Sequence, residues 1–298
     1  MERNEYADEF ADCVVRRTEY DTVMKPGILL LTMVLPALMA LAAVTLVIDT
    51  NLGTNFTEEG VRAGILVALV VECCIIGYLL YTLSGRTQRH QARDDIWAEA
   101  LIGYARTKGS DTAEMERLAS KMHRRGRSPL RALSLVLWGF SVLFLLALGI
   151  YLGLLAQPLD NRVFVLGTAS YGLLILQFLL STGLTYGFPR GHEKSQIRFA
   201  EEFSARMGDV GIDMPVMKPV VGKPHWVICI ILFIITLGLF SLIMFLLACR
   251  SMNLHIHNQW HYEEDVLKRI IEIEGGKSVR PVEGSRMGLA RSFIKSIF

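Results

Sequence analysis

Glu72 is the residue whose type and setting point most directly to chemistry, because this carboxylate lies near the middle of a long apolar stretch, 63–84. A carboxylate in such surroundings is neutral, paired or in contact with water, because burying its charge alone is costly. Three roles are open: a protonated structural group, a pore-lining or proton-relay group, or a metal ligand. Cys73 and Cys74 follow directly, but adjacent residues point about 100° apart on a helix, which disfavours a shared metal site.

A second apolar stretch carries polar residues at helical spacing. Gln177, Ser181 and Thr185 are each four residues apart and form one stripe along a helix. Such a stripe lines a water-filled path in some proteins and makes hydrogen bonds between helices in others. Gly149 and Gly153 form a small-residue pair that allows another helix to approach closely.

Histidines cluster with aromatic residues near the end of the last apolar stretch. His257 and His261 are four residues apart, a spacing that suits a shared metal ion, but no Glu lies between them and a third ligand is missing. A belt of Trp, Tyr and His at a membrane–water boundary explains the same residues. We therefore expect an interfacial belt and no metal or cofactor. Its members are His255, His257, Trp260, His261 and Tyr262.

A pattern built around histidine occurs three times in the sequence. Each histidine is followed by an aromatic residue seven positions later, a Glu nine later and an apolar residue eleven later. The aromatic and the apolar residue are four apart, so they share one face of a helix. The pattern is either a chance match among amphipathic helices or a real repeat of an apolar hairpin followed by an interfacial helix. The instances are His90, Trp97, Glu99 and Leu101; His192, Phe199, Glu201 and Phe203; and His255, Tyr262, Glu264 and Val266.

The elements that must position these residues follow from composition. The 298 residues are 52% hydrophobic and only 20% charged, and the net charge of +2 argues against a nucleic-acid partner. Five apolar stretches approach or exceed the roughly 20 residues that a spanning helix needs. The sequence thus predicts an all-α integral membrane protein with four transmembrane helices, a fifth apolar segment and cytoplasmic amphipathic helices. The stretches are Gly27 to Ile48, Ala63 to Ser84, Ala132 to Ala156, Val163 to Phe188 and Trp226 to Cys249.

The distribution of Lys and Arg predicts the topology. Basic residues are concentrated before the first stretch, after the second and after the fourth, which places the N-terminus in the cytoplasm of a multi-pass protein of the cell membrane. A single crossing of the fifth stretch would put the eight Lys and Arg of 250–298 outside. The charges therefore favour a re-entrant helical hairpin that turns near Thr236 and Gly238, with a single span as the alternative.

The stretch from Ile234 to Asp265 also carries a recognisable pattern. An Ile-Thr-Leu-Gly turn precedes an apolar half-helix, a basic residue and an Asn-Leu pair. In this the chain resembles a family of prokaryotic multi-span membrane domains of unknown function, although its half-helix is aliphatic where that family is aromatic. The resemblance implies architecture and no activity. The residues that carry it are Thr236, Leu237, Gly238, Phe240, Arg250, Asn253 and Leu254.

The closing residues predict a further amphipathic helix. Phe293 and Ile294 lie on its apolar side, and Arg291 and Lys295 lie on the other, which is typical of a segment on a membrane surface. A helix that binds a partner is the alternative. The chain is thus divided into an N-terminal cytoplasmic segment, two hairpins with interfacial helices, a shortened hairpin with its helix, and a tail. Their ranges are 1–26, 27–107, 108–208, 209–275 and 276–298.

No catalytic motif supports an enzyme, since the sequence contains neither a G-x-S-x-G elbow nor a dinucleotide-binding glycine pattern. We therefore expect a non-enzymatic membrane protein that forms a homo-oligomer, with an ion or small-solute pore as its function. The alternative is an accessory or scaffold subunit that docks a protein partner through its cytoplasmic helices and tail. The expected partners are the lipid bilayer and further copies of the chain.

Overall fold

The computed structural model describes residues 4–25, 82, 85–126, 136, 139, 187–223, 225–235 and 240–275. Seven helices can be followed in these residues, and none of the same residues forms a strand. The helices are α1 (Glu5–Val15), α2 (Arg17–Tyr20), α3 (85–107), α4 (Ala113–Gly126), α5 (187–209), α6 (Trp226–Ile235) and α7 (Phe240–Ile273).

Three of these helices, α3, α5 and α7, form a parallel bundle at the centre of the described residues. Each contributes one residue to each of five stacked layers, and the layers follow one another at intervals of four, three, four and four residues. Intervals of three and four residues keep one stripe of each helix facing its partners. We call the layers the histidine layer, the Asp–Gln layer and three apolar layers. They contain His90, His192 and His255; Asp94, Gln196 and Gln259; Trp97, Phe199 and Tyr262; Leu101, Phe203 and Val266; and Ala105, Met207 and Ile270.

The three bundle helices also end at the same level. A glycine with positive φ follows each of them, namely Gly109, Gly211 and Gly275, with φ of 82°, 79° and 76°. Glycine adopts this conformation without steric cost and so closes a helix end. In α5 the closing bond runs from the Ile212 N–H to the Met207 carbonyl at 2.9 Å. The bundle therefore has a histidine end and a glycine end.

The N-terminal segment 4–25 packs along the bundle against α3 and α7, running in the opposite direction to both. Near the glycine end, the side-chain amide of Asn4 donates to the hydroxyl of Thr107 at 2.9 Å. Near the histidine end, the Asn253 amide donates to the carbonyl of Met24 at 2.8 Å. Between these points α1 buries the Phe10 side chain completely. The segment thus spans the full height of the five layers.

The prediction of an integral membrane fold is contradicted, because no helix in the described ranges combines the length and the apolar character needed to cross a membrane. The predictions of a cell-membrane location, multi-pass topology and cytoplasmic N-terminus fall with it. The last apolar stretch is divided between α6, which has only 10 residues, and the start of α7. A helix of 10 residues is about 15 Å long, and α7 becomes polar from Arg250 onward. Nearly all residues of the other four stretches lie outside the described part of the chain.

The helices expected to lie on a membrane surface have a different role. The predicted interfacial helices correspond to α3, α5 and α7, and the faces assigned to lipid are buried against one another instead. The physical reason is that an amphipathic stripe is satisfied equally well by a neighbouring helix. The glutamates of the repeated pattern, by contrast, do not enter the layers; Glu99 and Glu201 are exposed.

Candidate metal centre

Three buried histidines meet at one end of the bundle. His90 and His255 are completely buried and His192 is 6% exposed. Their ring centroids are 5.0 to 5.3 Å apart, and one nitrogen from each ring lies within 4.8 Å of the other two. The Nε2 atoms of His90 and His255 are separated by 3.0 Å. Each ring therefore directs a nitrogen toward a common point.

Asp94 places a carboxylate oxygen beside two of the three histidines. It lies one helical turn after His90, and its Oδ2 is 3.4 Å from His90 Nε2 and 2.5 Å from His192 Nε2. Donor atoms that bind one Zn²⁺ tetrahedrally at about 2.0–2.1 Å lie roughly 3.3 Å from one another. The separations of 2.5, 3.0 and 3.4 Å lie around that value, and the three histidine ligand atoms all lie within 4.8 Å of one another. The four side chains would therefore have to move to surround a single ion.

The Asp–Gln layer holds the Asp94 carboxylate in place. Gln196 Nε2 donates to Asp94 Oδ2 at 2.9 Å, and Gln259 Nε2 donates to Asp94 Oδ1 at 2.7 Å. Gln196 Nε2 also lies 3.0 Å from the Gln259 Oε1 acceptor. Both amides are completely buried. Ligating carboxylates are commonly oriented by such outer hydrogen bonds, which fix the direction of the remaining lone pairs.

A second group of charged side chains surrounds the histidine layer. The His90 Nδ1 atom lies 2.8 Å from Asp21 Oδ1, so Nδ1 carries a hydrogen, and in the neutral imidazole the lone pair is on Nε2. Arg93 bridges two carboxylates, with Nη1 at 2.8 Å from Asp21 Oδ2 and Nη2 at 2.6 Å from Glu263 Oε1. All of these groups are buried. The outer group therefore prepares His90 Nε2 to act as a ligand.

The buried cluster contains more carboxylates than guanidinium groups. Asp21, Asp94 and Glu263 are three carboxylates, and Arg93 is the guanidinium that contacts them. With the imidazoles neutral, as metal binding requires, and all three carboxylates ionised, the cluster would carry two negative charges more than positive ones. Unbalanced charge is costly in a buried site. A divalent cation would balance it.

Neighbouring charges in the cluster also shift the pKa values of Asp94 and His90. Burial raises the pKa of Asp94, but His90, the hydrogen bond from His192 and the charge of Arg93 outweigh this and hold the pKa well below its usual range. Burial lowers the pKa of His90, but the charges of Asp94 and Asp21 reverse the effect and raise it.

His255 and Glu263 show the effect of burial more directly. Burial lowers the pKa of His255 far below its usual range, and the neighbouring His90 and His192 lower it further. This favours the neutral imidazole that a metal requires. The Nδ1 atom of His255 has no hydrogen-bond partner in the described ranges. Burial raises the pKa of Glu263 to about 7, although Arg93 opposes the shift.

Five of the residues predicted to be functional lie in the described part of the chain, all on α7. His255 and Tyr262 face the bundle interior, whereas His257 and His261 are exposed. The Trp260 ring is partly buried and lies 5.4 Å from the ring of His257 between centroids. The residues grouped as an interfacial belt thus occupy two faces of one helix.

The other predicted site residues lie outside the described residues. They include the pore or relay candidates, the glycine pair, the hairpin turn and the amphipathic tail. They are Glu72, Gln177, Ser181, Thr185, Gly149, Gly153, Thr236, Gly238, Arg291, Phe293, Ile294 and Lys295.

The repeated pattern identifies the three histidines in the sequence but not their meeting point. Asp94 and Asp21 receive no role from the sequence patterns, although one signal pointed to Asp94. In all three repeats the residue four positions after the histidine lies on the same face as the aromatic residue, and it is polar each time. A polar residue at a position that helical periodicity buries must find partners, which indicates a shared polar layer.

Comparison of the chain with protein-family models, with curated proteins and with solved structures finds no match. The resemblance of 234–265 to a family of membrane domains therefore remains an expectation.

Proposed function

We propose that this protein binds one divalent transition-metal ion, Zn²⁺ in preference, through His90, His192, His255 and Asp94. The observation that carries the proposal is the convergence of three buried imidazole nitrogens, with a carboxylate oxygen of the next layer beside two of them. Three nitrogen ligands and one oxygen ligand suit Zn²⁺, which prefers four-coordinate sites of this composition.

The ligand set favours a structural role over a catalytic one. Catalytic zinc sites use three protein ligands and leave a position for water or substrate, whereas structural sites are filled by four. Here all four side chains are buried, and with Asp94 as the fourth ligand no position would be left for water. This supports a non-enzymatic metal centre.

The ion would join three helices that are distant in sequence. His90, His192 and His255 lie on α3, α5 and α7. The hydrogen bonds that connect these helices join residues that are 98 to 165 positions apart in the sequence. Zinc that binds only the folded arrangement stabilises it by mass action. At a free zinc concentration about 100 times the dissociation constant, the expected gain in the free energy of unfolding is about 2.7 kcal/mol.

The first experiment measures metal content and affinity on the full chain. After equilibration with Zn²⁺ and removal of excess ion, mass spectrometry of the metal should find one zinc per chain. His255→Ala should lose this zinc, and Asp94→Asn should bind it 10–100-fold more weakly or not at all. The matched control is His257→Ala, because His257 is exposed on the same helix two residues away. Wild-type protein that retains no zinc, or equal loss in the control, would contradict the proposal.

A second experiment tests the coordination geometry. Co²⁺ substituted for Zn²⁺ should give the intense visible absorption of a tetrahedral ion with nitrogen and oxygen ligands. The weak bands of a six-coordinate ion would show that the four side chains do not form a closed set. The same titration with His261→Ala should leave the spectrum unchanged, since His261 is exposed and outside the ligand set.

The predicted homo-oligomer, its pore and the alternative scaffold role stay predictions. The residues assigned to the pore lie outside the described residues. The expected protein partner at the helices also stays a prediction, and the metal centre neither requires nor opposes it.

A further inference from the structure

The N-terminal segment brings a buried carboxylate to the outer side of the metal centre. Asp21 is 2% exposed although it lies in an extended stretch after α2. Three donors from two bundle helices hold it: His90 Nδ1, Arg93 Nη1 and Trp260 Nε1, each at 2.8 Å. A side chain held this firmly fixes the position of its segment as well as the orientation of His90.

We infer that Asp21 is a positioning residue of the metal centre, and that docking of segment 16–25 and binding of the metal strengthen each other. The inference rests on the proposed function, because it concerns the same site. Asp21 would not touch the ion; it acts through the imidazole of His90.

The physical link is the imidazole ring. A metal on Nε2 withdraws electron density from the ring, so the hydrogen on Nδ1 becomes a better donor to Asp21. Conversely, a carboxylate on Nδ1 fixes the tautomer and makes Nε2 a stronger ligand. Because the coupling is a free energy between two binding events, it acts equally in both directions. Removal of an outer partner of this kind typically weakens metal affinity 10–100-fold.

The segment has a second attachment that does not depend on the metal. The α1 helix buries Phe10 and Val14 in the apolar core of the bundle. The segment 16–25 keeps other bonds, such as that between the Asn253 amide and the Met24 carbonyl, so metal loss is expected to weaken its docking and to leave α1 in place. Weaker docking at 16–25 is the change to be measured.

A series of contacts connects the metal centre to the trypsin recognition residues Arg16 and Arg17. Trp260 donates to Asp21, and the guanidinium of Arg17 lies over the Trp260 ring at 4.8 Å from its centroid. Arg17 also pairs with the Glu264 carboxylate at 2.5 Å. Trypsin cleaves after Arg16 and Arg17, so the rate of cleavage there reports the docking of this part of the segment.

The test is limited proteolysis of the full chain with trypsin, in excess Zn²⁺ and in excess chelator, with cleavage after Arg16 and Arg17 followed by mass spectrometry. Zinc should slow this cleavage 10–100-fold in the wild type. Asp21→Asn should bind one zinc with 10–100-fold lower affinity, and zinc should then slow cleavage less than threefold.

Glu264→Gln is the matched control. This substitution weakens docking of the segment by removing the carboxylate that pairs with Arg17, and Glu264 makes no bond to His90. Cleavage should become faster with and without zinc, so that the protection ratio of the wild type is preserved. A merely structural role for Asp21 would make the two variants behave alike.

The outcomes separate this inference from the proposed function. Zinc that binds the wild type but leaves its cleavage rate unchanged would overturn the inference and leave the metal site intact. The inference would also be overturned if Asp21→Asn kept the wild-type protection ratio. Absence of zinc binding to the wild type would instead overturn the proposed function. If circular dichroism shows that Asp21→Asn is unfolded, the wild-type comparison and Glu264→Gln decide between these outcomes.

Discussion

The two ends of the bundle are built from the same three helices and differ in chemistry. At the glycine end, three apolar layers bury side chains such as Trp97, Phe203 and Ile270 completely. At the histidine end, two polar layers bury imidazoles, amides and carboxylates, including His90 and Asp94. The apolar layers are stabilised mainly by burial of apolar surface, whereas the polar end contains carboxylates whose charge a bound cation would neutralise. One helical geometry thus accommodates an apolar core and a polar core that an ion would complete.

The largest expected effect comes from breaking the apolar end. Phe203→Ala removes a completely buried ring from the fourth layer, and the free energy of unfolding should fall by about 3–5 kcal/mol. Zinc content should stay at one per chain, because the ligands lie two and three layers away. Urea denaturation and metal analysis of the same sample measure both quantities. Loss of zinc in the folded variant would show that the two ends are not independent.

The next effect is the pH dependence of stability that comes from the histidine end, measured in the presence of a chelator. The folded-state pKa of Glu263 is raised to about 7 by burial, so the unfolded chain releases this proton at lower pH than the folded chain. Stability should therefore fall as pH rises from about 4.5 to 7, by about 3 kcal/mol in total. The glutamine in Glu263→Gln is neutral at every pH, so this variant should lack the part of the stability loss that comes from ionisation of Glu263. If the stability of the wild type and of Glu263→Gln depends on pH in the same way, the raised pKa of a buried Glu263 is contradicted.

The smallest expected effect comes from a comparison of one glycine-to-alanine substitution near each end of the bundle. A methyl group at Gly103 of α3 would lie 2.1 Å from the Tyr6 ring, so Gly103→Ala forces the N-terminal segment to move. We expect a net loss of about 1–2 kcal/mol after the better helix propensity of Ala is included. Gly191→Ala on α5 has no neighbour within 4 Å and should be neutral or slightly stabilising. Thermal unfolding of both variants provides the measurement.

Part of this architecture is readable in the sequence because it is local. The repeated histidine pattern identifies the inward faces of α3, α5 and α7, and Trp97 and Leu101 are both completely buried as their shared face requires. The membrane interpretation is wrong for the described residues, because an amphipathic face indicates burial without specifying what covers it. Lipid and a neighbouring helix satisfy the same periodicity.

The candidate site depends on relationships that no single segment contains. Asp21 lies 69 positions before His90 in the chain, and only the antiparallel docking of segment 4–25 brings the two together. The role of Asp94 likewise depends on His192 from another helix. The Asp21 contact leaves no periodic trace in the sequence, and the repeated polar position that includes Asp94 does not indicate which distant residue it meets.

What the amino-acid sequence by itself determined is the inward stripe of each bundle helix and the glycine that ends it, because both depend on residues within a few positions of one another. The tertiary structure alone decided that the three stripes run parallel and in register, which turns three separate histidines into one cluster. Register is set by the packing of side chains from distant parts of the chain, so it is a property of the assembled bundle and of none of its helices alone.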